Sequence, residues 1–372
     1  MPQQPTLWSR FGGIATLVLT LLGWSSIPLF LRSFIKEIDG WTANGWRYAF
    51  SAVIWAPTLL WAYRAGKAPR GLWRAALVPS IFNTAGQALF GLAPYRIDPG
   101  LMTFSLRVQI LFVTIGAAVL FASERRIVRT PGFILGLVMV AAGTMGTIAL
   151  NPKGMGSGTG LGVAMSIGSG LLYACYSLAV RRSMLGMNPL VAFAAISQYT
   201  ALGLVVPMLI LAPNHGADAA HLPANRIVLL LLSSLIGIGL GHTFYYISIA
   251  RLGVAVSAGV IQLQPLIVSI ASFFLFGERL TPGQWVCGVA AILGAAVILA
   301  TQHRLSRRGH APVGPADIEE FRTLPLDADT AAAEAQREPA SDGAAPITPP
   351  TPGAGRRARS AGSPSPGPRP TP

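Results

Sequence analysis

The residue best suited to bind a charged ligand in this sequence is Arg107, which lies inside an apolar stretch from residue 99 to residue 121. If that stretch is a membrane-spanning helix, Arg107 lies about 12 Å from its start. A charge at this depth is costly and usually faces an aqueous cavity or a polar partner. Arg107 would then either attract the carboxylate or phosphate of a substrate or be held by helix carbonyls and neighbours such as Gln109 and Gln262.

Polar and aromatic residues at helical spacing interrupt other apolar stretches. Asn83 and Gln87 are four positions apart, and His242 and Tyr245 are three apart, so each pair shares one helix face. Any one of these side chains is typical of a hydrogen bond between helices. Together they favour a small-molecule cavity, because so many polar groups would not all face lipid. The residues predicted to bind the substrate are Trp24, Ser25, Gln87, Arg107, Tyr173, His242, Tyr245 and Gln262.

Two residues have a second possible role. His242 could carry a coupling proton, because histidine titrates near physiological pH, or it could be a neutral hydrogen-bonding residue. Arg47 lies in the first turns of its predicted helix, so it could extend to the membrane surface and anchor the helix there. A role of Arg47 in packing or gating stays open.

The apolar stretches contain no acidic residue. The acids before position 302 lie at the ends of these stretches or between them: Glu37, Asp39, Asp98, Glu124, Asp218 and Glu278. Exchange of protons for cations through a buried carboxylate is therefore not expected, and neutral, zwitterionic or anionic cargo is favoured. The sequence also has no Walker loop, no metal-spaced His and Cys cluster and no nucleophile with its base, so we expect neither a cofactor nor a bound metal.

The composition places these residues on membrane helices. Hydrophobic residues make up 52% of the chain and charged residues only 11%. Apolar runs of about 20 residues match a bilayer core of ~30 Å and must be helical to satisfy their own backbone hydrogen bonds. We predict an all-α integral membrane protein with ten spans, at 11–31, 43–63, 72–92, 99–121, 131–150, 160–180, 189–211, 227–249, 254–276 and 282–301.

The net charge of +14 has a distribution typical of a membrane protein rather than of a nucleic-acid-binding protein. Most basic residues fall on the side that holds both termini, and the other side receives Arg32, Lys36, Arg96, Lys153, Arg226 and Arg279. This asymmetry predicts cytoplasmic termini. Because Cys175 and Cys287 lie inside predicted spans, no disulfide framework is expected.

The two ends of the chain are predicted to differ. The first span is expected to be a retained helix rather than a signal peptide, since Arg32 follows it in place of a small-residue cleavage site. Residues 302–372 are rich in Pro, Ala, Arg, Asp and Ser, and they lack the apolar residues needed to offset the entropy of ordering. We predict a disordered cytoplasmic tail.

The polar residues recur in order after 149 to 155 positions, so that Trp24 falls on Tyr173 and Arg107 falls on Gln262. We predict a first five-helix repeat at 1–150, a linker at 151–159 and a second repeat at 160–301. Five is an odd number, so the second repeat would enter the membrane from the opposite face. Inverted repeats of this kind are common in secondary transporters.

The segment from Pro265 through Gly277-Glu278-Arg279 to Gly294 resembles the EamA-type signature of the drug/metabolite transporter superfamily. The early Gly23-Trp24-Ser25-Ser26-Ile27-Pro28 and the pair Arg47-Tyr48 are also similar to it. The resemblance implies a ten-helix fold, with a cavity between the first, third, fourth, sixth, eighth and ninth helices. It also implies export of amino acids, other metabolites or drugs. One departure is Ile110 in place of Pro265, which predicts that the fourth helix lacks the break that the family often has.

We therefore predict a secondary transporter that exports small metabolites, such as amino acids or related neutral, zwitterionic or anionic compounds, across the bacterial inner membrane by alternating access. A multidrug efflux carrier is the alternative, and a membrane enzyme using His242 and Tyr245 as acid and base is a weaker one. A non-transporting scaffold that acts through its tail is a further alternative. The expected partners are a small-molecule substrate and the lipid bilayer, without nucleic acid, and either a monomer or a homo-oligomer fits.

Overall fold

The computed structural model describes residues 7–120, 128–152, 157–184, 187–252, 257 and 260–307. All of them belong to a first compact unit, Met1–Leu324, and every regular element in these ranges is helical. Glu124 and the predicted tail beyond residue 307 lie outside the described residues.

The described helices follow one another with short connections. They are α1 (Leu7–Ser33), α2 (Gly40–Arg64), α3 (Leu72–Leu92), α4 (Pro99–Leu106), α5 (Gln109–Leu120), α6 (Pro131–Ala149), α7 (Ser157–Ser183), α8 (Pro189–Leu211), α9 (Ala224–Ser234), α10 (Gly241–Leu252), α11 (Gln264–Phe276) and α12 (Pro282–Arg307). A π-helical segment, Leu235–Leu240, joins α9 to α10. Single 3-10 turns occur at Ala93–Tyr95 and Ala217–His221.

Eight segments of the described residues are long and apolar enough to cross a membrane. They are Gly12–Ser33, Leu72–Tyr95, Pro99–Leu120, Pro131–Ala149, Thr159–Val180, Pro189–Leu211, Ala224–Tyr245 and Pro282–Thr301. The predicted span at 43–63 forms helix α2, which has the length of a span but carries several polar residues at its beginning. The predicted span at 254–276 is described only in part, as the shorter helix α11.

Residues at the helix ends explain where several of these helices begin. The Asp39 side chain accepts hydrogen bonds from the backbone N–H groups of Trp41 and Thr42 at 2.8 and 3.0 Å, which caps α2. The first residue of α4, α6, α8 and α12 is proline, whose fixed φ suits the first helical turn. Helix α11 ends at Phe276 and is followed by Gly277, where a φ of +69° favours glycine.

The fourth predicted span is broken, although the Ile110 departure predicted an uninterrupted helix, and that prediction is wrong. Helix α4 ends at Leu106 and α5 begins at Gln109. The turn between them is closed by short-range bonds, from Val108 N–H to Ser105 O at 3.4 Å and from Leu111 N–H to Val108 O at 2.9 Å. A tightened turn keeps the backbone groups satisfied inside the membrane, so the break does not need a proline.

Helices α6 and α12 approach each other closely along much of their length. A Cβ atom added to Gly136 would lie 2.6 Å from the backbone oxygen of Gly294. The converse holds at Gly294, where a Cβ would lie 2.7 Å from the backbone oxygen of Gly136. Small residues on both helices therefore permit this close packing.

Candidate functional site

The candidate site is built around Arg107, which lies in the turn between α4 and α5. Its Nη2 atom donates to Gln264 Oε1 at 2.6 Å, and Gln264 Nε2 donates to the backbone oxygen of Trp24 at 2.9 Å. One amide side chain therefore joins the broken fourth span, the start of α11 and the middle of α1. The sequence suggested Gln109 or Gln262 as the neighbour of Arg107, and the observed partner is Gln264.

No carboxylate among the described residues pairs with Arg107. The ion pairs found in those ranges join Arg32 to Asp98 and Glu278, and Arg226 to Glu37. The buried Nε atom of Arg107 makes no hydrogen bond within the part of the chain that the structure describes. Because a buried charged donor is costly to leave unpaired, Arg107 retains strong hydrogen-bonding capacity towards an anion.

Two helix N-termini lie in the same region of the fold. Helix α5 begins at Gln109, directly after the turn that holds Arg107, and α11 begins at Gln264, which bonds to Arg107. The dipole of a helix places partial positive charge at its N-terminus, although several of the first N–H groups here already donate to the preceding turn, as Ile110 does to Arg107 O and Leu266 to Leu263 O. Any contribution of these N-termini to the potential around Arg107 is therefore smaller than that of the guanidinium itself.

An aromatic cluster lies beside this positive region. The Trp24 ring is 5.4 Å from that of His242 and 4.9 Å from that of Tyr245, measured between centroids. On its other side His242 stacks on Phe193 at 4.1 Å with an interplanar angle of 20°. Trp24 and Tyr245 also pack against the buried cluster of Leu17, Leu21 and Ile261, and the backbone oxygen of Trp24 bonds to Gln264, so the aromatic cluster adjoins the polar centre.

Main-chain carbonyls fix the orientation of two of these rings. Trp24 Nε1 donates to the backbone oxygen of Gly237 at 3.0 Å. His242 Nδ1 lies 3.2 Å from the backbone oxygen of Ile238, which can only accept, so Nδ1 carries the proton in this contact. A ring that stacks on Phe193 and donates to a carbonyl is typical of the neutral hydrogen-bonding role considered for His242.

The remaining predicted residues are placed differently. Tyr173 is 6.2 Å from Phe90 between ring centroids, in the contact of α7 with α3. Gln87 contributes its backbone oxygen to Asn44 Nδ2 at 2.8 Å. Gln262 lies in the turn before α11. The hydroxyl of Ser25 is buried and makes no hydrogen bond within the described ranges.

The prediction that Arg47 extends to the membrane surface is wrong. Its side chain is only 2% exposed. Arg47 Nε donates to Ser233 Oγ at 2.9 Å, and Nη1 donates to Asn44 Oδ1 at 3.2 Å. This face of α2 packs against α9, so the guanidinium points into the protein rather than along a lipid-facing surface.

A polar cluster around Arg32 joins several helix ends and was not predicted from the sequence. Arg32 Nε donates to Glu278 Oε1 at 2.9 Å and Nη1 to the backbone oxygen of Pro94 at 2.8 Å, while Nη2 lies 3.4 Å from Asp98 Oδ1. Ser272 Oγ donates to Glu278 Oε2. We call these five residues the Arg32 clamp. It connects the end of α1 with the start of α4 and with the loop between α11 and α12.

The electrostatics of the clamp are mixed, because it contains two carboxylates and one guanidinium. Burial raises the pKa of Glu278 above its ordinary value. The bond from Ser272 lowers that pKa, the negative charge of Asp98 raises it again, and Arg32 lowers it, with a net upward shift. The charge on Glu278 is therefore only partly compensated.

The sequence could have pointed to some of the contacts that it missed. Gln264 stands directly before Pro265, at the predicted start of a half-helix, which is a common location for a binding side chain. Phe193 carried no signal, since an aromatic residue in an apolar helix is ordinary. The bond to the Gly237 carbonyl could not be predicted either, because it depends on the local backbone geometry.

Apolar helices long enough to cross a membrane, together with a buried arginine bonded to Gln264 between broken helices, define a multi-pass membrane protein with a polar interior. The model of the EamA-like transporter family matches residues 160–300, which confirms the resemblance seen in the signature. Residues 160–300 are thus similar to the EamA-like transporter family of the drug/metabolite transporter superfamily.

Two other comparisons add to this result. A solved structure titled "Crystal structure of protein" has a TM-score of 0.54 and 16% sequence identity, and the match covers 82% of this chain and 100% of that chain. At this identity the likeness concerns the fold alone. The comparison with curated proteins gave no match.

Proposed function

We propose that this protein is a secondary transporter that exports a small zwitterionic or anionic metabolite, such as an amino acid, by alternating access. The observation that carries the proposal is the Arg107 guanidinium, which lies beside an aromatic cluster and whose Nε has no hydrogen-bond partner among the residues that the structure describes. The apolar stretches of the sequence contain no acid that could neutralise it. A carboxylate could accept bonds from Arg107 while an apolar part of the same molecule contacts Trp24 and Tyr245.

Equivalent contacts in the two halves support an inverted repeat. Trp24 contacts Tyr245 at 4.9 Å, and their counterparts in the predicted alignment, Tyr173 and Phe90, are 6.2 Å apart. A Cβ on Gly241 would lie 2.4 Å from Trp24, and a Cβ on its counterpart Gly86 would lie 2.9 Å from Tyr173. In both halves a glycine thus makes room for the ring of the first helix.

The two broken spans repeat the same backbone bonds. In the first break, Val108 N–H donates to Ser105 O and Leu111 N–H to Val108 O. In the second, Leu263 N–H donates to Val260 O at 3.0 Å and Leu266 N–H to Leu263 O at 3.1 Å, with every position shifted by 155. Two related halves can exchange their packing at similar energy, which is the physical basis proposed for alternating access.

The proposed architecture follows from these contacts together with the sequence pattern. It has ten spans, a first repeat at 1–150, a linker at 151–159 and a second repeat at 160–301. The charge asymmetry of the loops supports cytoplasmic termini in the cell membrane. Export is the direction that the family resemblance favours.

Transport assays in proteoliposomes test the proposal. Counterflow would be measured for amino acids, organic acids, nucleosides and dyes with the wild type, with Arg107→Gln and with Arg96→Gln. Arg96 is exposed, so its variant changes the same charge outside the site. We expect a zwitterionic or anionic compound to be transported by the wild type and Arg96→Gln, and transport to be abolished in Arg107→Gln. Unchanged kinetics in Arg107→Gln would contradict the proposed role of Arg107.

A multidrug carrier is the second candidate, because the cluster of Trp24, Phe193, His242 and Tyr245 rings can contact flat apolar molecules. Dyes transported equally by the wild type and Arg107→Gln, without transport of any metabolite, would favour this candidate.

A further inference from the structure

The π-helical segment Leu235–Leu240 lies next to the candidate site and is an unusual element. The N–H group of Gly241 donates to the backbone oxygen of Ile236, five residues earlier, instead of to the residue four earlier. A π-helical turn places one residue more between donor and acceptor than an α-helical turn does. Such turns are frequent at functional sites. If this segment closed into an α-helix, the residues after it would rotate by roughly 100° relative to those before it.

The residues after the segment are the ones that form the aromatic cluster. A Cβ on Gly241 would lie 2.4 Å from Trp24 Nε1, so this glycine fits directly under the indole ring. Trp24 also donates to the Gly237 carbonyl within the segment. His242 directly follows Gly241 in the sequence. The register of the π-helical segment therefore determines which residues face Trp24.

The residues before the segment are held by Arg47. Arg47 Nε donates to Ser233 Oγ at 2.9 Å, and Ser234 Oγ donates to the backbone oxygen of Arg47 at 2.6 Å. These two serines immediately precede Leu235. Arg47 is thus bonded through both its side chain and its backbone to the last turn before the π-helical segment.

Arg47 also connects this turn to other helices. Its Nη1 donates to Asn44 Oδ1 at 3.2 Å, and Asn44 Nδ2 donates to the backbone oxygen of Gln87 on α3 at 2.8 Å. A guanidinium presents several donors in a fixed plane, so one side chain can hold two acceptors at defined angles. Glutamine at position 47 ends in a single donor nitrogen at the chain position of Arg47 Nε, so it cannot bond Ser233 and Asn44 together as the guanidinium does.

We infer that Arg47 is a positioning residue, which holds the π-helical segment in register and so keeps Trp24, His242 and Tyr245 facing the candidate site. The inference rests on the proposed function for its importance in transport, because it concerns the geometry of that same site. Arg47 acts on the aromatic cluster indirectly, through its bond to Ser233 and the π-helical segment that follows.

A spectroscopic experiment tests the register directly. The full-length protein would be labelled with 5-fluorotryptophan in detergent, and the fluorine resonances of Trp24 and Trp73 would be assigned with the variants Trp24→Phe and Trp73→Phe. In Arg47→Gln we expect the Trp24 resonance to move or broaden, because the bond from its indole N–H to Gly237 is lost. The Trp73 resonance should stay in place, since Trp73 bonds to Tyr63 instead.

Two further variants complete the design. Ser51→Ala removes a buried bond between α2 and α8, from Ser51 Oγ to Ser197 Oγ at 2.9 Å, and it should leave the Trp24 resonance unchanged. Ser233→Ala removes the acceptor of Arg47 Nε and should shift the Trp24 resonance in the same direction as Arg47→Gln does. It therefore decides the question if Arg47→Gln does not fold. For a transported compound, Arg47→Gln should raise KM by about tenfold, the loss expected for one such bond.

The outcomes separate this inference from the proposed function. A Trp24 resonance that is unchanged in both Arg47→Gln and Ser233→Ala overturns the inference, even if transport is lost. A displaced Trp24 resonance supports it even if no compound of the transport panel is moved, in which case the proposed function fails instead.

Discussion

The Arg32 clamp predicts that one end of the protein opens when Arg32 is replaced by glutamine. Arg32 holds Glu278, Asp98 and the Pro94 carbonyl, and these partners belong to two different connections between helices, the one before α4 and the one before α12. Its side chain is 20% exposed, so each contact is partly screened by solvent and contributes about 1 kcal/mol or less. A total near 2 kcal/mol corresponds to a roughly thirtyfold shift towards the open state.

Cysteine labelling measures this shift. In a protein with Cys175 and Cys287 replaced by alanine, the buried Ser25 would be replaced by cysteine and exposed to a membrane-impermeant thiol reagent. Added from the side of the clamp, the reagent should label Arg32→Gln about thirty times faster than the parent, provided that opening precedes labelling. High salt should increase labelling of the parent and have less effect on the variant.

The control is Arg279→Gln, which removes the same charge next to the clamp. Arg279 stacks over Phe273 at 5.2 Å and is exposed. It should label at the parental rate. Equal rates for Arg32→Gln and Arg279→Gln, or faster labelling of Arg32→Gln from the opposite side only, would refute the reasoning that the clamp closes this end.

Three further outcomes are expected. Because the pKa of Glu278 is raised, the folded protein binds a proton more readily than the unfolded chain; its thermal stability relative to Glu278→Gln should therefore increase as the pH falls through the raised pKa and level off below the ordinary value of 4.5. If the thermal stability of Glu278→Gln itself changes with pH in the same way as that of the wild type, the pH dependence belongs to another group. Gly136→Ala should destabilise the protein by about 1–3 kcal/mol in thermal unfolding, since the new Cβ meets backbone atoms of α12, whereas Gly168→Ala, which meets only the end of the Leu89 side chain, should cost less. Arg107→Lys should retain part of the transport that Arg107→Gln loses, because lysine keeps the charge without the planar fork, and a lysine variant as inactive as the glutamine variant would show that charge alone is insufficient.

The positions of most helices could be predicted from sequence because a bilayer imposes both their length and their apolar surface. Helix α6, for example, occupies Pro131–Ala149 and was expected at 131–150. The first break in the fourth span could not be predicted from composition, since no proline or glycine lies at Arg107-Val108. Its turn depends on the short-range backbone bonds around it, which leave no mark in the residue types.

The candidate site was predictable in part for a related reason. Charged, polar and aromatic residues are conspicuous in an apolar helix, which is why the sequence pointed to Arg107, Trp24, His242 and Tyr245. The structure brings the last three rings together. The partner of Arg107 depends on how α4 faces α11, which periodicity within one helix does not specify. The burial of Arg47 likewise depends on the packing of α2 against α9.

Arg107 also lies where a membrane potential acts. Moving one elementary charge across the whole membrane changes the free energy by about 2.3 kcal/mol per 100 mV. In the proposed transport cycle, an empty carrier that moves Arg107 through part of this field during its conformational exchange is sensitive to voltage. A bound monoanion cancels the charge of Arg107, so the loaded carrier moves almost no charge, whereas a bound zwitterion leaves the positive charge in place. For a monoanionic substrate, the membrane potential therefore drives or retards the step that returns the empty carrier, and for a zwitterionic substrate it acts on both steps.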